Sequence, residues 1–223
     1  MKILGVIPAF NAEQTVGGLV RKSLAHLSDV IVVDDGSSDK TGYEAANAGA
    51  IVLRHEVNRG KGAALKTAFE YATSHEYDAA ITLDADGQHL PEDIPKLSRA
   101  FSETGGDLII GSRRHLFAQM IPRRRMANKF SSWAISVGSG AKVDDSQSGY
   151  RLYSARLMKA LPIRSSGFDM ESEVIVRAAR SKMKIVMIPI ELGFVDGLQT
   201  SYYRPIRDTF KILGTALRTR FLG

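Results

Sequence analysis

The sequence predicts an α/β protein built on a mostly parallel, doubly wound central sheet flanked by helices. Three observations carry this. Short apolar runs alternate with longer stretches of helical periodicity. The runs are almost continuously apolar, as strands covered on both faces must be. Clusters rich in Asp, Asn, Gly and Ser directly follow three of them, where such sheets bind ligands outside the carboxyl ends of their strands.

The elements read in order. Strands are predicted at Ile3–Ile7, Val30–Asp34, Ala50–Leu53, Ala79–Leu83 and Leu108–Gly111. Helices are predicted between them at about 12–27, 39–48, 60–75 and 91–104. Ser37, Ser38 and Asp39 are candidate caps for the second helix, and Pro91-Glu92-Asp93 marks the start of the fourth. Beyond Gly111 the pattern changes. A helix is expected over 124–138, with a basic start and Phe130, Trp133, Ala134 and Val137 on one side. A loop follows over Asp144–Arg151, then a helix over 169–181 and a strand near 184–190. A basic amphipathic helix closes the chain over 205–221. Its apolar positions are Ile206, Phe210, Leu213, Leu217 and Phe221. No repeat or low-complexity linker divides the chain.

At 223 residues the chain can bury a large core without staples. It has no cysteine, which excludes disulfides, thiolate zinc sites, iron–sulfur clusters and a thiol nucleophile. That composition fits a reducing, cytoplasmic compartment. No apolar run is long enough to cross a membrane, and Met1–Val6 meets Pro8 and Asn11 too early for a signal peptide. The net charge of +6 is unevenly spread. Residues 108–143 hold seven Lys/Arg and no acid, and residues 197–223 hold five Lys/Arg and one Asp. The rest, with 18 basic and 23 acidic residues, is net negative. Phosphates, an anionic membrane or nucleic acid would answer such segments. No nucleic-acid-binding signature accompanies them, so no nucleic-acid partner is expected.

Three constellations bear on chemistry. Asp84-Ala85-Asp86 places two carboxylates two residues apart just past a buried strand. Either the pair sits in a solvated turn or helix cap, or it recruits a hard divalent cation, Mg²⁺ or Mn²⁺. Val32-Val33-Asp34-Asp35-Gly36-Ser37-Ser38 is either ordinary turn chemistry or an acid placed to accept ribose or base hydrogen bonds. Asn58-Arg59-Gly60-Lys61-Gly62 lacks the spacing of a Walker loop. It reads as a glycine-rich helix start that either caps only or touches a nucleotide. His55, His75 and His115 show no ligand spacing and read as structural or exposed, whereas His89 adjoins the acid pair. Trp133 reads as a core or interface residue.

In chain order stand Ile7-Pro8-Ala9-Phe10-Asn11, Val33-Asp34-Asp35-Gly36-Ser37, Asn58–Gly62, Leu83-Asp84-Ala85-Asp86-Gly87-Gln88-His89 and Gly111-Ser112-Arg113. Ser148-Gly149-Tyr150-Arg151 and the Glu171/Glu173 pair follow. From residue 3 to about 195 this ordered set resembles the family 2 inverting glycosyltransferases of the GT-A (Rossmann-like) fold. It is most similar to the dolichyl-phosphate mannose synthase and polyprenyl-phosphate glycosyltransferase branch. The resemblance implies one domain over 1–223, with a nucleotide-binding part at about 1–112 and an acceptor-side part at about 113–223. It implies that Asp86 is the main metal ligand, with Asp84 and Gln88 in or near its shell. Pro8, Phe10, Asn11, Val33, Asp35, Lys61, Ala85 and Arg151 would bind the GDP- or UDP-hexose donor. Arg113 would approach the phosphates in catalysis, and Arg204, Arg207 and Lys211 would bind acceptor phosphate.

The charge chemistry sets the choice of acceptor. A lipid phosphate is already ionised near neutral pH and needs only positioning. A hydroxyl acceptor needs a carboxylate base, for which Asp169, Glu171 and Glu173 are the candidates. Positions 171 and 173 do not share a helix face, so at most one points at the chemistry. The acid-free stretch, with apolar Leu116–Pro122 beside Arg123-Arg124-Arg125, suits a peripheral contact on the cytoplasmic face of a membrane. A nucleotidyltransferase would instead carry a Gly-x-Gly-Thr-Arg loop where Pro8-Ala9-Phe10-Asn11 stands. A silent nucleotide-sugar binder would have no need of intact Asp84, Asp86, Gln88 and Arg113.

Overall fold

A computed structural model describes residues 1–119, 122–160, 165, 167 and 169–193. Seven strands form one sheet in the order β3-β2-β1-β4-β6-β5-β7. They are β1 (Ile3–Ala9), β2 (Asp29–Asp34), β3 (Ile51–Arg54), β4 (Ala79–Thr82), β5 (Leu108–Ser112), β6 (Arg151–Ser154) and β7 (Ile185–Pro189). All pairings are parallel except those of β6, which runs antiparallel between β4 and β5. The helices are α1 (Val16–Leu24), α2 (Thr41–Asn47), α3 (Lys61–Ser74), α4 (Ile94–Thr104), α5 (Pro122–Ser139), α6 (Ala155–Ala160) and α7 (Met170–Arg180). Short 3-10 turns cover Pro91–Asp93 and Arg114–Gln119.

Strand alternation sorts the core into two layers. On β1, Leu4 and Val6 join the cluster that includes α3 and α7, while Ile3, Ile7 and Ala9 join the one that includes α1 and α4. Helices thus cover both faces of the sheet, as its nearly continuous apolar strands require. Chain order reverses between β1 and β4, which puts a topological switch point beside the ends of those strands.

Every strand and helix expected in the described residues is present, with its ends moved by up to a few residues: β1, β2, β5 and α5 run longer, and α1, α2 and α7 shorter. The first helix starts later, at Val16, because Asn11 takes a left-handed φ of 50° and Ala12–Thr15 form a turn. Ser37 and Ser38 do not cap α2. Asp39 does the nearest equivalent, its Oδ1 accepting from the Thr41 N–H at 2.9 Å. The expected loop ending at Arg151 turns into β6 and then α6, which the sequence reading left out. Four residues bounded by Gly149 and a helix give too short a run for the period of two to register.

The shared side of α5 is real, but it faces outward. Trp133 is 61% exposed, not a core residue. Periodicity says which residues share a side and is silent on where that side points. The stretch thought to dip into a membrane is also partly tucked in, since Phe117 is buried. Met120 and Ile121 lie outside the described residues, as do the side chains of Arg123 and Arg124 and the whole segment holding Arg204, Arg207, Lys211 and the expected helix over 205–221. Among the described residues no helix is long and apolar enough to cross a membrane.

Candidate active site

The carboxyl ends of β1, β2 and β4 open into a cavity of about 630 Å³. Its size is that of a typical ligand cleft. Pro8, Phe10, Asn11, Asp35, Lys61, Asp84, Ala85 and Asp86 line it. Asn11 locks its rim to the turn after β2. Its N–H donates to Ser37 Oγ at 2.9 Å, and its Oδ1 accepts from the Ser38 N–H at 2.9 Å. Thr15 Oγ1 donates to the Ala85 carbonyl at 2.6 Å and ties the start of α1 to the acid motif.

Asp35 is nearly buried and held from several sides. Its Oδ1 meets His55 Nδ1 at 2.6 Å and accepts from the Arg59 N–H at 2.9 Å. Its Oδ2 accepts from the Gly60 N–H at 2.7 Å. Gly60 reaches it at a φ of +91°, a conformation that glycine alone adopts freely. So the Asn58–Gly62 run both starts α3 and fixes the β2 carboxylate. His55 also meets Thr67 Oγ1 at 3.0 Å, which makes it the support behind Asp35. Val33, in contrast, is wholly buried in the core under the cavity and reaches it through no side-chain atom.

Lys61 is the centre of charge. Its Nζ lies 2.5 Å from Asp84 Oδ1 and 2.9 Å from Glu171 Oε1. Burial alone would lower its pKa, but the two carboxylates outweigh burial and push it up. Burial would raise the Asp84 carboxyl, yet Lys61 holds it down at about 2. A Cβ on Gly149 would come within 2.7 Å of Asp84 Oδ2 and 2.8 Å of Lys61 Nζ, so only glycine leaves room for this pair. Asp86 differs. Burial first, then Asp84, raise its carboxyl to about 6. Its Oδ1 accepts from the Gln88 N–H at 3.0 Å, and no cation of the described residues pairs with it. His89 is buried and held neutral, its pKa lowered to about 4 chiefly by burial. Its Nδ1 accepts from the Asp84 N–H at 2.9 Å, and its ring stacks on Tyr150.

The remaining candidates separate cleanly. Arg113 is clamped on fully buried Asp145, with Nε to Oδ2 at 2.8 Å, Nη2 to Oδ1 at 3.0 Å and its own N–H to Oδ2 at 3.0 Å. Arg151 does not face the cavity. It is completely buried and donates to the carbonyls of Ser148, Glu171 and Ser146 at 2.7, 2.7 and 2.8 Å. It shapes the loop behind the site and α7, and does not touch a ligand there. Glu173 turns away to Arg177 Nε at 2.7 Å and the Ser165 N–H at 2.8 Å. Asp169 sits at the N-terminus of α7. Only Glu171 of the three acids reaches the cluster around Asp84.

The donor set fits a divalent ion at Asp86. This is a hard oxygen ligand on the cavity wall, without an ion-pair partner among the described residues, its pKa raised by burial and by the neighbouring Asp84 carboxylate. Asp84 already pairs with Lys61, which it shares with Glu171, and Gln88 uses its backbone to orient Asp86. Among the described residues no group of three His, Asp or Glu side chains forms a metal cage. An ion here would therefore rest on few protein ligands and keep positions for substrate phosphates.

The chain matches the model of "Glycosyl transferase family 2" over residues 6–166. It belongs to that family. The family 2 chain is 33% identical to the undecaprenyl-phosphate mannosyltransferase of Micrococcus luteus over 210 residues, covering 85% of this chain and 83% of the relative. It is 30% identical to the UDP-N-acetylglucosamine–dolichyl-phosphate N-acetylglucosaminyltransferase of Methanococcus voltae, covering 97% and 93% of the two chains. Among solved structures it superposes on glucosyl-3-phosphoglycerate synthase of Mycobacterium tuberculosis with a TM-score of 0.73 and 21% identity, over 100% of this chain and 81% of the other. That structure contains Mn²⁺ and UDP. The shared architecture is the GT-A fold, and the chain is a glycosyltransferase.

The residues that sequence reading missed are of one kind. Asp145 and Thr15 hold functional groups without carrying the chemistry. Asp145 lies in the loop expected over Asp144–Arg151, but only its position opposite Arg113 gives it a role. His55, expected to be structural, is so.

Proposed function

We propose that this glycosyltransferase moves a hexose from a nucleoside diphosphate sugar to a polyprenyl phosphate at a membrane surface, with inversion. The supporting observation is that Glu171, the one of the three candidate bases that reaches the cluster around Asp84, is bound to Lys61 at 2.9 Å. A carboxylate whose oxygen is already engaged by an ammonium is a poor general base, and a phosphate acceptor requires none. The relatives named for undecaprenyl and dolichyl phosphate favour the same acceptor class.

In this reading Phe10 and Asn11 hold the nucleoside from β1, and Asp35 accepts hydrogen bonds from it. Asp86 holds a divalent ion, Mg²⁺ or Mn²⁺, with Asp84 and Gln88 as its near support. Such an ion supplies charge neutralisation to the leaving diphosphate. Lys61 keeps Asp84 ionised and in place. Arg113, aimed by Asp145, offers positive charge to the phosphates that meet at the anomeric carbon. Arg204, Arg207 and Lys211 are assigned to the acceptor phosphate, and the protein works at the cytoplasmic face.

The test is a screen of labelled GDP- and UDP-hexoses against polyprenyl phosphate, with D86A as the control. Label should enter the lipid fraction with the parent and fall by at least about 100-fold with the variant. Label appearing only in soluble glycans refutes the acceptor class. Undiminished transfer by D86A refutes the metal assignment.

A further inference from the structure

Helix α5 is turned inside out. Met126, Phe130, Trp133 and Val137 are 70, 49, 61 and 58% exposed. At 3.6 residues per turn they fall within about 60° of arc. The opposite side buries Asn128, Ser131, Ser132 and Ile135. Its polar members have internal partners: Ser131 Oγ lies 3.0 Å from Ser146 Oγ, and Ser132 Oγ accepts from the Ser146 N–H at 3.0 Å. A helix packed for its own stability would bury the aromatic side and expose the serines. The Phe130 and Trp133 rings lie 5.9 Å apart and form one apolar ridge.

We propose that this ridge is the surface by which the protein lies on an anionic lipid bilayer. The inference deepens the function proposed above, and it rests on that reading for the choice of a membrane as the setting. Charge selects the occupant. The ridge lies within the stretch 108–143, which has seven basic residues and no acid. Lys129 is exposed beside it and Arg125 partly so. A second copy docked by a two-fold axis would set these cations against themselves. A surface of anionic headgroups over acyl chains answers both the aromatic ridge and the flanking cations. The placement is also apt for the site. The buried side of α5 holds Ser146, the neighbour of Asp145, which clamps Arg113. A bilayer under the ridge would lie one helix away from that arginine.

Trp133 is the only tryptophan, so it reports on this helix without a label. The full chain is mixed with vesicles of phosphatidylcholine alone or with phosphatidylglycerol. We expect Trp133 emission to shift to the blue, and to be quenched by brominated acyl chains, only on the anionic vesicles. The variant M126E/F130E keeps the reporter and should weaken vesicle binding by about tenfold or more. Its thermal melt and its transfer to a short, water-soluble polyprenyl phosphate should match the parent. Protein that sediments with anionic vesicles while Trp133 emission stays unchanged overturns the proposal. So does a Trp133 already shielded from acrylamide in lipid-free buffer, which would mean that another copy or another segment covers the ridge. Insertion of Trp133 without transfer to any lipid phosphate would sink the proposed acceptor and leave the docking surface standing.

Discussion

Replacing Asp145 with asparagine keeps the side chain's shape and removes its charge. The carboxylate accepts four N–H groups: from Arg113 N, Nε and Nη2 at 3.0, 2.8 and 3.0 Å, and from Gln147 N at 3.3 Å. An amide has one oxygen, so either orientation turns its NH₂ toward two donors. Asp145 is fully buried and the Arg113 side chain is 13% exposed. Breaking such a pair by removing one partner costs about 3–5 kcal/mol. The small opening beside Arg113 lets water recover part of the loss, so the lower end, about 3 kcal/mol, is expected. With a urea slope near 3 kcal/mol per molar, the unfolding midpoint should fall by about 1 M. The double variant D145N/R113M should recover part of that loss, because the stranded charge is gone. Turnover should fall more than donor affinity, since an unclamped Arg113 still attracts the donor but is no longer aimed. A loss under about 1 kcal/mol, or single-variant costs that simply add in the double variant, would refute the clamp.

Other outcomes follow from the same geometry. Asp86 has a folded pKa near 6, above its ordinary 3.8, so its ionisation costs stability as pH rises through that window. A cation binds the ionised form; Mn²⁺ should therefore raise the melting temperature at pH 7.5 far more than at pH 5, and D86N should abolish the effect. Asp84 has the opposite sign. Held at about 2, it stabilises the fold above its ordinary pKa of 3.8, and that stability is lost progressively as pH falls from about 4 through 2. The variant K61M strands Asp84 and Glu171 together and should cost about 3 kcal/mol in urea unfolding, with part restored in K61M/E171Q. E173Q should lower stability by about 2 kcal/mol through its lost Arg177 pair while leaving transfer intact. A matching loss of kcat there would put the wrong glutamate in the site. H55A should weaken nucleotide binding by freeing Asp35, read by calorimetry, with kcat changed less than KM.

The strands and most helices were legible because their signals are local. Val30–Asp34 and Ala79–Leu83 are unbroken apolar runs, and only a strand buried on both faces tolerates that. The convergence of Pro8–Asn11, Asp34–Ser38 and Asp84–Gln88 followed from topology, since parallel strands end on one edge. What was illegible depends on contacts distant in sequence. Nothing in Arg151 says that its guanidinium turns inward to three carbonyls, and arginine after a Ser-Gly-Tyr turn is as suited to a phosphate. Nothing in Trp133 says that its helix faces out.

Lys61 shows the same limit in the site itself. Read along the chain, Asp84 and Asp86 are equivalent carboxylates that compete for one cation. The fold breaks the symmetry. Lys61 comes from the first turn of α3 and Glu171 from the first turn of α7, and Gly149 leaves the space in which both meet Asp84. Asp84 thereby has an ammonium partner, shared with Glu171, whereas Asp86 has no ion-pair partner among the described residues. Two identical residues two positions apart thus stand in different surroundings, and in the proposed function it is Asp86 that is left to take the divalent ion. The division of labour within the pair is decided by a lysine more than twenty positions upstream and a glutamate more than eighty positions downstream.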